Sequence, residues 1–397
     1  MKVLVTDGDQ RAALAVTRSL GKQGICVLVG EEKSNSLASS SRYCNRHITY
    51  PSPYEKGEAF CRFLLDFLQR NSVDMVLPIT DVTNHIATLH KGELEQYARL
   101  PIPDFKAFEF VTDKANLLKR AQEIGIPIPK TFLVEERECL PRILGLLEYP
   151  VVVKATHSRI RIRQQWFPTS VHYAGSEQEL LQVYQSNDYL QYPSLVQERI
   201  IGPGVGFFAL FDRGELVAMF SHKRLREKPP SGGVSVLRES IAVDPNLREY
   251  AIRLLKPLGW HGVAMMEYKV DQRTDQPVLM EVNGRLWGSL QLAIDAGVDF
   301  PHLVYQMAMA DWPAPPGNGY SIGVKSRWLL GDVDHLLLRL LKPDSALHLP
   351  ENSPSKLQTV LSFCRFFQRG MRYEDLRLDD PGPFFYDVYQ YLALLRR

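Results

Sequence analysis

Glu267, Glu281, Asn283 and Arg285 lie in two apolar segments, GVAMMEYKVD (262–271) and VLMEVNGR (278–285), which are joined by QRTDQP. The spacing predicts a β-hairpin in which Glu267 lies opposite Glu281. Because side chains alternate along a strand, Glu281, Asn283 and Arg285 are expected on one face. Two neighbouring carboxylates in a partly buried site repel each other, and a divalent cation removes that repulsion. All-oxygen ligands favour Mg²⁺ or Mn²⁺ over zinc, so Glu267, Glu281 and Asn283 are candidate metal ligands.

A plainer interpretation of this hairpin is a solvated pair of strands with alternating polar residues. Against it, apolar residues occupy both faces of the predicted strands, which indicates that the carboxylates are not simply at the surface. The metal site is therefore favoured. Arg285, beside the carboxylates, would face a phosphate or a developing oxyanion.

Two lysines precede this hairpin in the sequence at positions suited to anion binding. Lys154 ends the predicted strand YPVVVK, and Lys114 lies in the first turn of a helix capped by Thr112 or Asp113. A cation at a helix start opposes the helix dipole, and a bound anion would offset that repulsion. Two alternatives stay open: Asp113 neutralises Lys114 locally, and Lys154 extends from its strand end into solvent.

The segment VQERII (196–201) predicts an apolar strand with Glu198 just before the turn GPGVG. An extended segment here offers backbone donors and acceptors to a flat heterocycle, with Val196 and Ile201 packing on its faces. An ordinary strand followed by a Gly/Pro turn is the alternative.

The segment HKRLREKPPSGGVS (222–235) combines basic side chains with Pro-Pro and Gly-Gly. It is typical either of a solvated charged loop or of a mobile flap that closes over an anionic substrate. Its position directly after a strand favours the flap. His222 and Arg224 are then its best candidates for substrate contact.

The elements that must position these residues fall into a few blocks. Strands alternate with helices over about the first hundred residues, beginning with KVLVT, which predicts a parallel, Rossmann-like sheet without G-x-G-x-x-G. A boundary is predicted at LPIPDF (100–105), followed by a mixed α+β region of two lobes. DWPAPPGNG (311–319) marks a linker into a tail.

Composition excludes several classes of protein. The 397 residues include 47 Lys and Arg against 45 Asp and Glu, so a net charge of +2 supplies no field that favours nucleic acid. Five scattered cysteines without C-x-x-C argue against a disulfide framework or a zinc site, and for a reducing compartment such as the cytoplasm. The N-terminus resembles a first strand more than a signal peptide, and no apolar run is long enough for a transmembrane segment.

In chain order, TDK (112–114), YPVVVK (149–154), VQERIIGPG (196–204), MEY (266–268) and MEVNGRLWGS (280–289) resemble the ATP-grasp superfamily. The subgroup that the chain most resembles is the carboxylate–amine ligases related to carbamoyl-phosphate synthase and biotin carboxylase, over about residues 1–310. The resemblance implies an α/β plus α+β architecture of three parts. These are a Rossmann-like pre-ATP-grasp domain (1–105), an ATP-grasp domain (106–312, lobes about 106–195 and 196–312) and a mainly helical C-terminal extension (313–397).

The resemblance also implies roles for the candidate residues. ATP and Mg²⁺ (or Mn²⁺) would be the cofactors, with Lys114 and Lys154 on the α- and β-phosphates. Arg285 would steady the reacting centre. The nucleotide base would contact Gln197, Glu198, Arg199 and Ile201, and Mg²⁺ would contact Glu267, Glu281 and Asn283.

Two departures from the superfamily pattern stand out. Val205 occupies the position of a glutamate that usually binds ribose. The loop after the second lysine is normally glycine-rich, whereas this chain has Arg159, Arg161 and Arg163 in ATHSRIRIRQQWFPTS. Alternate arginines on one strand face would clamp phosphate or bind an acidic substrate.

The expected function is an ATP- and Mg-dependent ligase that activates a small-molecule carboxylate as an acyl phosphate, forms ADP and joins the acyl group to an amine. The alternative is a non-catalytic ATP-binding regulatory protein with a degenerate ATP-grasp fold. The tail segments HLLLRLLK (335–342) and SKLQTVLSFCRFFQRG (355–370) fit either docking on a membrane surface or partner, or helices packed on the body, which is favoured. A homo-oligomer is allowed by these features.

Overall fold

The structure is a computed structural model that describes residues 1–163, 165–309, 319–350 and 353–395. The chain begins with alternating strands and helices, as predicted. Four parallel strands form a first sheet in the order β3-β2-β1-β4. The elements of this block are β1 (Lys2–Val5), α1 (Arg11–Lys22), β2 (Cys26–Glu31), β3 (Arg46–Thr49), α2 (Gly57–Arg70), β4 (Met75–Leu77), α3 (Asp81–Leu89) and α4 (Lys91–Leu94).

A second block follows the Pro-rich segment that was predicted to be a boundary. Asp113 caps α6 by accepting hydrogen bonds from the backbone N–H groups of Ala115 and Asn116, which confirms one of the two predicted caps. The small sheet has the antiparallel order β5-β10-β6-β9, and β7 and β8 form a separate two-stranded sheet. The elements are α5 (Phe105–Thr112), α6 (Lys114–Glu123), β5 (Thr131–Val134), β6 (Val151–Ala155), β7 (Arg159–Ile162), β8 (Gln165–Pro168), β9 (His172–Ala174), α7 (Glu177–Ser186) and β10 (Ser194–Glu198).

The third block supplies most of a seven-stranded large sheet. Its order is β15-β14-β11-β12-β13-β16-β17, so the predicted hairpin β14–β15 lies at one edge. Apolar side chains of one face, including Phe208 and Phe220, share a core with α1 and β1 of the first block. The elements are β11 (Gly204–Asp212), β12 (Glu215–Lys228), β13 (Val234–Ser240), α8 (Pro245–Leu255), β14 (Gly262–Asp271), β15 (Gln276–Asn283), α9 (Leu290–Ala296) and α10 (Phe300–Met309).

The C-terminal segment packs on the body, as favoured from the sequence, but it also adds two strands that the helical pattern did not predict. β16 pairs with β13, and β17 pairs with β16 in parallel, which extends the large sheet. Buried ion pairs such as Arg18–Asp380 (2.7 Å) join the segment to the first block. Its elements are β16 (Lys325–Arg327), α11 (Leu329–Leu341), α12 (Lys356–Phe363), β17 (Met371–Tyr373) and α13 (Gly382–Leu395).

Two further points bear on the predicted organisation. The predicted linker DWPAPPGNG and the boundary at 312/313 fall almost entirely on residues outside the described part of the chain. Among the described residues, none of the helices has the length and apolar character needed to cross a lipid bilayer.

Candidate active site

The hairpin β14–β15 brings the predicted carboxylates together. Glu267 is paired with Glu281 across the two strands, which confirms the register predicted from the sequence. The side-chain amide of Asn283 donates to Glu267 Oε1 (3.4 Å) and to Glu281 Oε1 (3.3 Å). The three side chains therefore converge on one small area of the sheet edge.

Both predicted lysines reach this area from different elements. Lys114 Nζ, at the start of α6, lies 3.6 Å from Glu281 Oε2 and donates to Ser158 Oγ at 2.9 Å. Lys154 Nζ, on β6, donates to the backbone carbonyl of Met280 at 3.2 Å. The repulsion expected between Lys114 and its helix dipole is thus offset by a carboxylate from the large sheet.

Burial and neighbouring charges shift the ionisation of these groups in opposite directions. Burial opposes the charge on Glu281, yet Lys114 and Lys154 outweigh it and lower the pKa of Glu281 to about 2. Burial raises the pKa of Glu267, with Arg224 opposing that shift and Glu281 adding to it. Burial, followed by the charge of Lys114, lowers the pKa of Lys154 to about 8. Shifts of this kind are common at functional sites.

Two arginines complete the surroundings of the carboxylates. Arg224, on β12, forms ion pairs with Glu267 and, at 2.9 Å, with Glu227. Arg285 Nε donates to Asp81 Oδ1 at 2.7 Å and its Nη2 donates to Asn283 Oδ1 at 3.3 Å. Arg285 therefore links the hairpin to the start of α3 in the first block.

The donor set fits a hard divalent cation. Glu267, Glu281 and Asn283 offer two carboxylates and an amide, which are oxygen ligands suited to Mg²⁺. In the structure, the negative charge of the carboxylates is offset by the cationic groups of Lys114 and Arg224.

The residues predicted to contact a nucleotide base lie at the end of β10, where their polar groups already have partners. Glu198 Oε1 accepts from the backbone N–H of Lys130 (3.0 Å), and Arg273 lies 3.3 Å from Glu198 Oε2. Gln197 Nε2 donates to Thr131 Oγ1 at 2.7 Å. These contacts tie β10 to the segment before β5 and to the turn of the β14–β15 hairpin.

Arg199 and Ile201, in the segment after β10, also have partners. Arg199 lies over the ring of Tyr173 (4.9 Å) and donates to the backbone carbonyl of His348. The carbonyl of Ile201 accepts from the backbone N–H of Gln272 at 3.0 Å.

Two side chains near β10 face away from the space where a base was expected. The prediction that Val196 packs on a heterocycle is wrong, because Val196 is fully buried among the apolar residues of the small sheet and α7. Val205, at the position of the usual ribose glutamate, is buried in the core that contains Leu117 and Val282.

The flap interpretation of residues 222–235 is wrong. Residues 222–228 belong to the long strand β12 and pair with residues 234–240 of β13, which is held on its other side by β16. His222 is fully buried, and its Nε2 lies 3.0 Å from Ser289 Oγ. Burial, followed by the charges of Arg238 and Arg224, lowers the pKa of His222 well below its usual value. A buried neutral imidazole does not contact a bound anion, whereas Arg224 does lie at the site.

The segment rich in arginine forms a β-hairpin, β7–β8, which we name the arginine hairpin (159–168). It reaches the first block, where the guanidinium of Arg159 lies over the ring of Tyr54 (4.7 Å) and the backbone N–H of Trp166 donates to the carbonyl of Tyr54 (3.0 Å). Arg159 and Arg161, two positions apart on β7, both line a cavity beside Lys114. Arg163 is exposed at the turn, with a positive φ of 48°.

This cavity has a volume of about 1080 Å³ and lies between the first block, α6, the arginine hairpin and the carboxylates. Lys114, Glu281 and Asn283 form one end of it. Lys154, Glu198 and Ile201 are not among the residues that line it. The cavity therefore lies on the side of the carboxylates away from the residues predicted to bind the base.

Three residues that line the cavity were missed by sequence reasoning. Asp81 and His85 lie four positions apart on α3, and His85 Nδ1 is 2.8 Å from Glu109 Oε1. The hydrogen bond with His85 lowers the pKa of Glu109. A signal was available for Asp81, because it follows the carboxyl end of a parallel strand, where α/β proteins commonly bind ligands.

Comparison with known proteins identifies the class to which this fold is similar. Residues 193–326 match a family model described as ATP-grasp in the biosynthetic pathway with Ter operon. The chain is similar to the biotin carboxylase domain dimer of the Hydrogenobacter thermophilus 2-oxoglutarate carboxylase, solved in complex with MgADP, ADP and bicarbonate. That match has a TM-score of 0.64 and 17% identity and covers 82% of this chain and 73% of that chain.

Two further proteins are similar to this chain. An L-amino acid ligase from Bacillus licheniformis has a TM-score of 0.59 and 18% identity, covering 78% of this chain and 74% of that chain. The α subunit of the mitochondrial methylcrotonoyl-CoA carboxylase of Arabidopsis thaliana is 22% identical over 196 residues, which are 46% of this chain and 26% of that relative. The match thus spans about a quarter of the relative's length. Together these likenesses confirm the predicted resemblance to the ATP-grasp superfamily and the predicted fold class.

Proposed function

We propose that this chain is an ATP- and Mg²⁺-dependent ligase that activates a substrate carboxylate as an acyl phosphate, releases ADP and joins the acyl group to an amine. One observation carries the proposal. Two carboxylates, an amide and two lysines from four separate elements converge, and three of these groups (Lys114, Glu281 and Asn283) line one end of a cavity of about 1080 Å³. Such a set combines a cation site with phosphate-binding groups, which phosphoryl transfer requires.

Glu267, Glu281 and Asn283 would hold Mg²⁺, and a half-turn of the Asn283 amide would present its oxygen to the ion. Mg²⁺ bound there would neutralise part of the negative charge of the phosphates. Lys114 and Lys154 would bind the α- and β-phosphates of ATP. Gln197, Glu198, Arg199 and Ile201 would contact the base; the similar biotin carboxylase domain in complex with MgADP supports a nucleotide in this fold.

In the proposed reaction, an oxygen of the substrate carboxylate attacks the γ-phosphorus, the bond to the β-phosphate oxygen breaks, and ADP leaves with that electron pair. The nitrogen of an amine then attacks the acyl carbon and forms the new C–N bond. Inorganic phosphate leaves with the electron pair of the broken C–O bond, and the proton lost from the nitrogen passes to the released phosphate. Arg285, held by Asp81, would stabilise the negative charge on the carbonyl oxygen during that step. The cavity lined by His85 and Arg161 would receive the carboxylate and the amine.

Three further predictions stay proposals. The first is the division into a pre-ATP-grasp domain, a two-lobed ATP-grasp domain and a C-terminal extension. The second is a cytoplasmic location, based on the five cysteines, which are all free in the structure. The third is that the partners are a small-molecule carboxylate and amine, in a monomer or a homo-oligomer.

The activity is tested by incubating the protein with ATP, Mg²⁺ and each standard amino acid as a trial carboxylate. Hydroxylamine serves as a general nucleophile that converts an acyl phosphate into a hydroxamate. We expect ADP and hydroxamate to form together with the wild type, and neither to form with Glu281→Gln. Glu215→Gln serves as the matched control, because Glu215 is exposed at the start of β12 and does not line the cavity. Equal ADP release by the wild type and Glu281→Gln would contradict the proposal.

A second measurement separates the ligase from the alternative regulator. Calorimetric titration with ADP, in the presence and absence of Mg²⁺, does not require a known substrate. A ligase with the proposed cation site binds ADP more tightly with Mg²⁺. ATP or ADP affinity that Mg²⁺ leaves unchanged would favour the non-catalytic regulatory protein.

A further inference from the structure

An apolar surface is exposed on the C-terminal helices. We define the C-terminal apolar surface as Leu337, Leu340, Leu341, Leu357, Leu361 and Phe367, all of them exposed. Phe367 is 100% exposed, and Leu341 is 77% exposed. Scattered apolar residues at a protein surface are normal, but a group of large side chains on adjoining helices usually marks an interaction site.

These side chains extend from a fixed support. Lys356 Nζ, at the start of α12, donates to the carbonyl of Leu340 near the end of α11 (3.0 Å), which places the two helices side by side. Below them, Asp332 of α11 is buried and accepts from Arg226 and Arg327 at 2.6 Å each. The leucines therefore lie on helices that are anchored to the large sheet, whereas Phe367 lies in the short segment between α12 and β17.

The helix α13 extends the same side of the molecule. The hydroxyl of Tyr391 donates to Asp334 Oδ1 at 2.6 Å, and Trp328 Nε1 donates to Asp387 Oδ2 at 3.3 Å, so α13 runs parallel to α11. One turn beyond Asp334 and Tyr391 lie Leu337 on α11 and the exposed Leu394 and Leu395 on α13. The apolar surface therefore continues from α12 across α11 onto α13.

Charge around the surface has one dominant sign. Residues 335–372 contain six Lys and Arg and two Asp and Glu. One of the two acids, Asp344, is paired with Arg339 at 2.9 Å. Lys342, Arg365 and Arg369 are exposed beside Leu341 and Phe367. The apolar surface is thus framed by positive charge.

The positive charge around the apolar surface indicates which kind of partner binds to it. In a two-fold dimer the same patch faces itself, so a basic frame would bring like charges together. An anionic lipid surface instead neutralises the frame, and its acyl region removes the leucine and phenylalanine side chains from water. A protruding phenylalanine between two arginines suits the boundary between headgroups and acyl chains.

We propose that this chain docks on anionic lipid bilayers through the C-terminal apolar surface, with Phe367 and the leucines inserted and Lys342, Arg365 and Arg369 on the headgroups. None of the residues that line the cavity beside Glu281 belongs to the C-terminal apolar surface. The proposal is independent of the proposed ligase activity, since it rests on a different part of the molecule.

The test is flotation of the full chain with vesicles of phosphatidylcholine alone or of equal parts phosphatidylcholine and phosphatidylglycerol. We expect flotation with the anionic vesicles and little with phosphatidylcholine. Raising NaCl to about 0.5 M should weaken binding, because the cations act over a Debye length. The double variant Arg365→Gln/Arg369→Gln should lower the partition coefficient about thirtyfold, and Phe367→Ser about tenfold.

Leu378→Ser is the matched control, because Leu378 is 97% exposed but lies outside the defined surface. It should bind anionic vesicles like the wild type. Circular dichroism melting of each variant establishes that the fold is intact. Absence of flotation with anionic vesicles would overturn the proposal, as would equal losses in Phe367→Ser and Leu378→Ser. A dimer in light scattering that Phe367→Ser dissociates, without vesicle binding, would assign the surface to a second copy instead.

Discussion

The two ends of the predicted nucleotide site differ in how their polar groups are used. At the phosphate end, defined by Lys114, Lys154, Glu267, Glu281 and Asn283, charged groups from separate elements face one another beside a large cavity. At the adenine end, defined by Gln197, Glu198, Arg199 and Ile201, each residue has a partner within the chain. Charge is therefore concentrated where chemistry is proposed, whereas the polar groups of the adenine end are engaged by neighbouring segments of the chain.

The comparison indicates where binding energy for a nucleotide would arise. Charges of the phosphate end are paired with one another in surroundings that are already partly desolvated, and a ligand that brings Mg²⁺ and phosphates together would replace each partner with a charge of the same sign. Groups of the adenine end must give up existing hydrogen bonds before they bind a base, so their net gain is small. Substitutions should accordingly have graded effects from one end to the other.

The largest effect is expected at Glu281. We expect Glu281→Gln to lower the affinity for ADP in the presence of Mg²⁺ by about a hundredfold, because it removes one of two carboxylates at the proposed cation site. ADP affinity without Mg²⁺ should change little. Calorimetric titration measures both, with Glu215→Gln as the control. An equal loss of ADP affinity with and without Mg²⁺ would show that Glu281 does not act through a bound cation.

A pH dependence is expected next, from Lys154. Its pKa is about 8 in the folded protein and 10.5 for the free side chain, so above pH 8 the folded side chain loses its charge and its attraction for phosphate. Affinity for MgADP should fall by up to tenfold per pH unit above about 8. In Lys154→Arg the cation persists, and the fall should disappear. The same pH profile in both proteins would exclude Lys154 as its source.

The lowered pKa of Lys154 also affects the free energy of unfolding. Between pH 8 and 10.5 the unfolded chain binds more protons at Lys154 than the folded chain, so this lysine makes the free energy of unfolding rise with pH in that window. Below pH 8 both states are protonated, and the unfavourable burial of the charge is present in full. Urea unfolding of the wild type and Lys154→Met across this range measures the difference.

A smaller effect is expected for the pair that links the phosphate end to the first block. Asp81 and Arg285 form a partly buried ion pair at 2.7 Å. We expect Asp81→Asn and Arg285→Gln to show a coupling energy of about 1 kcal/mol in a double-mutant cycle of urea unfolding. The exposed pair Glu215–Lys256, also at 2.7 Å, should show a coupling near zero. Equal couplings would mean that burial does not distinguish the two pairs.

The smallest effect is expected at the adenine end. Glu198→Gln should change ADP affinity by less than about threefold, because the carboxylate is already engaged by Lys130 and Arg273. The loss of these contacts should lower the melting temperature instead. Calorimetry and thermal melting of the same variant measure both quantities. A fall in affinity as large as that of Glu281→Gln would abolish the contrast between the two ends.

Several parts of the site could be predicted from the sequence because they depend on local pattern. The pairing of Glu267 with Glu281 follows from two apolar strands of matching period around a short turn. The start of α6 at Lys114 follows from the capping side chain of Asp113. The resemblance to ATP-grasp proteins rests on the order of such local segments.

Other parts depended on contacts between residues distant in the chain. His222 lies at the start of a basic run, and its burial results from β12 packing against Phe208 and Ser289, which no local signal indicates. The docking of the arginine hairpin on Tyr54, and with it one wall of the cavity, joins residues more than a hundred positions apart. The strands β16 and β17 were likewise too short for a periodic signal.

The sequence by itself determined which residues share a strand face or a helix turn, because backbone geometry fixes those periods over a few residues. Only the tertiary structure decided which of those faces meet: that Lys114 reaches Glu281, that Asp81 holds Arg285, and that the leucines of α11 and α12 are left exposed. The reason is physical. Contacts between distant elements depend on how all the elements pack together in the core. A local sequence pattern indicates that one face of an element is apolar, but it does not indicate which other element will cover that face.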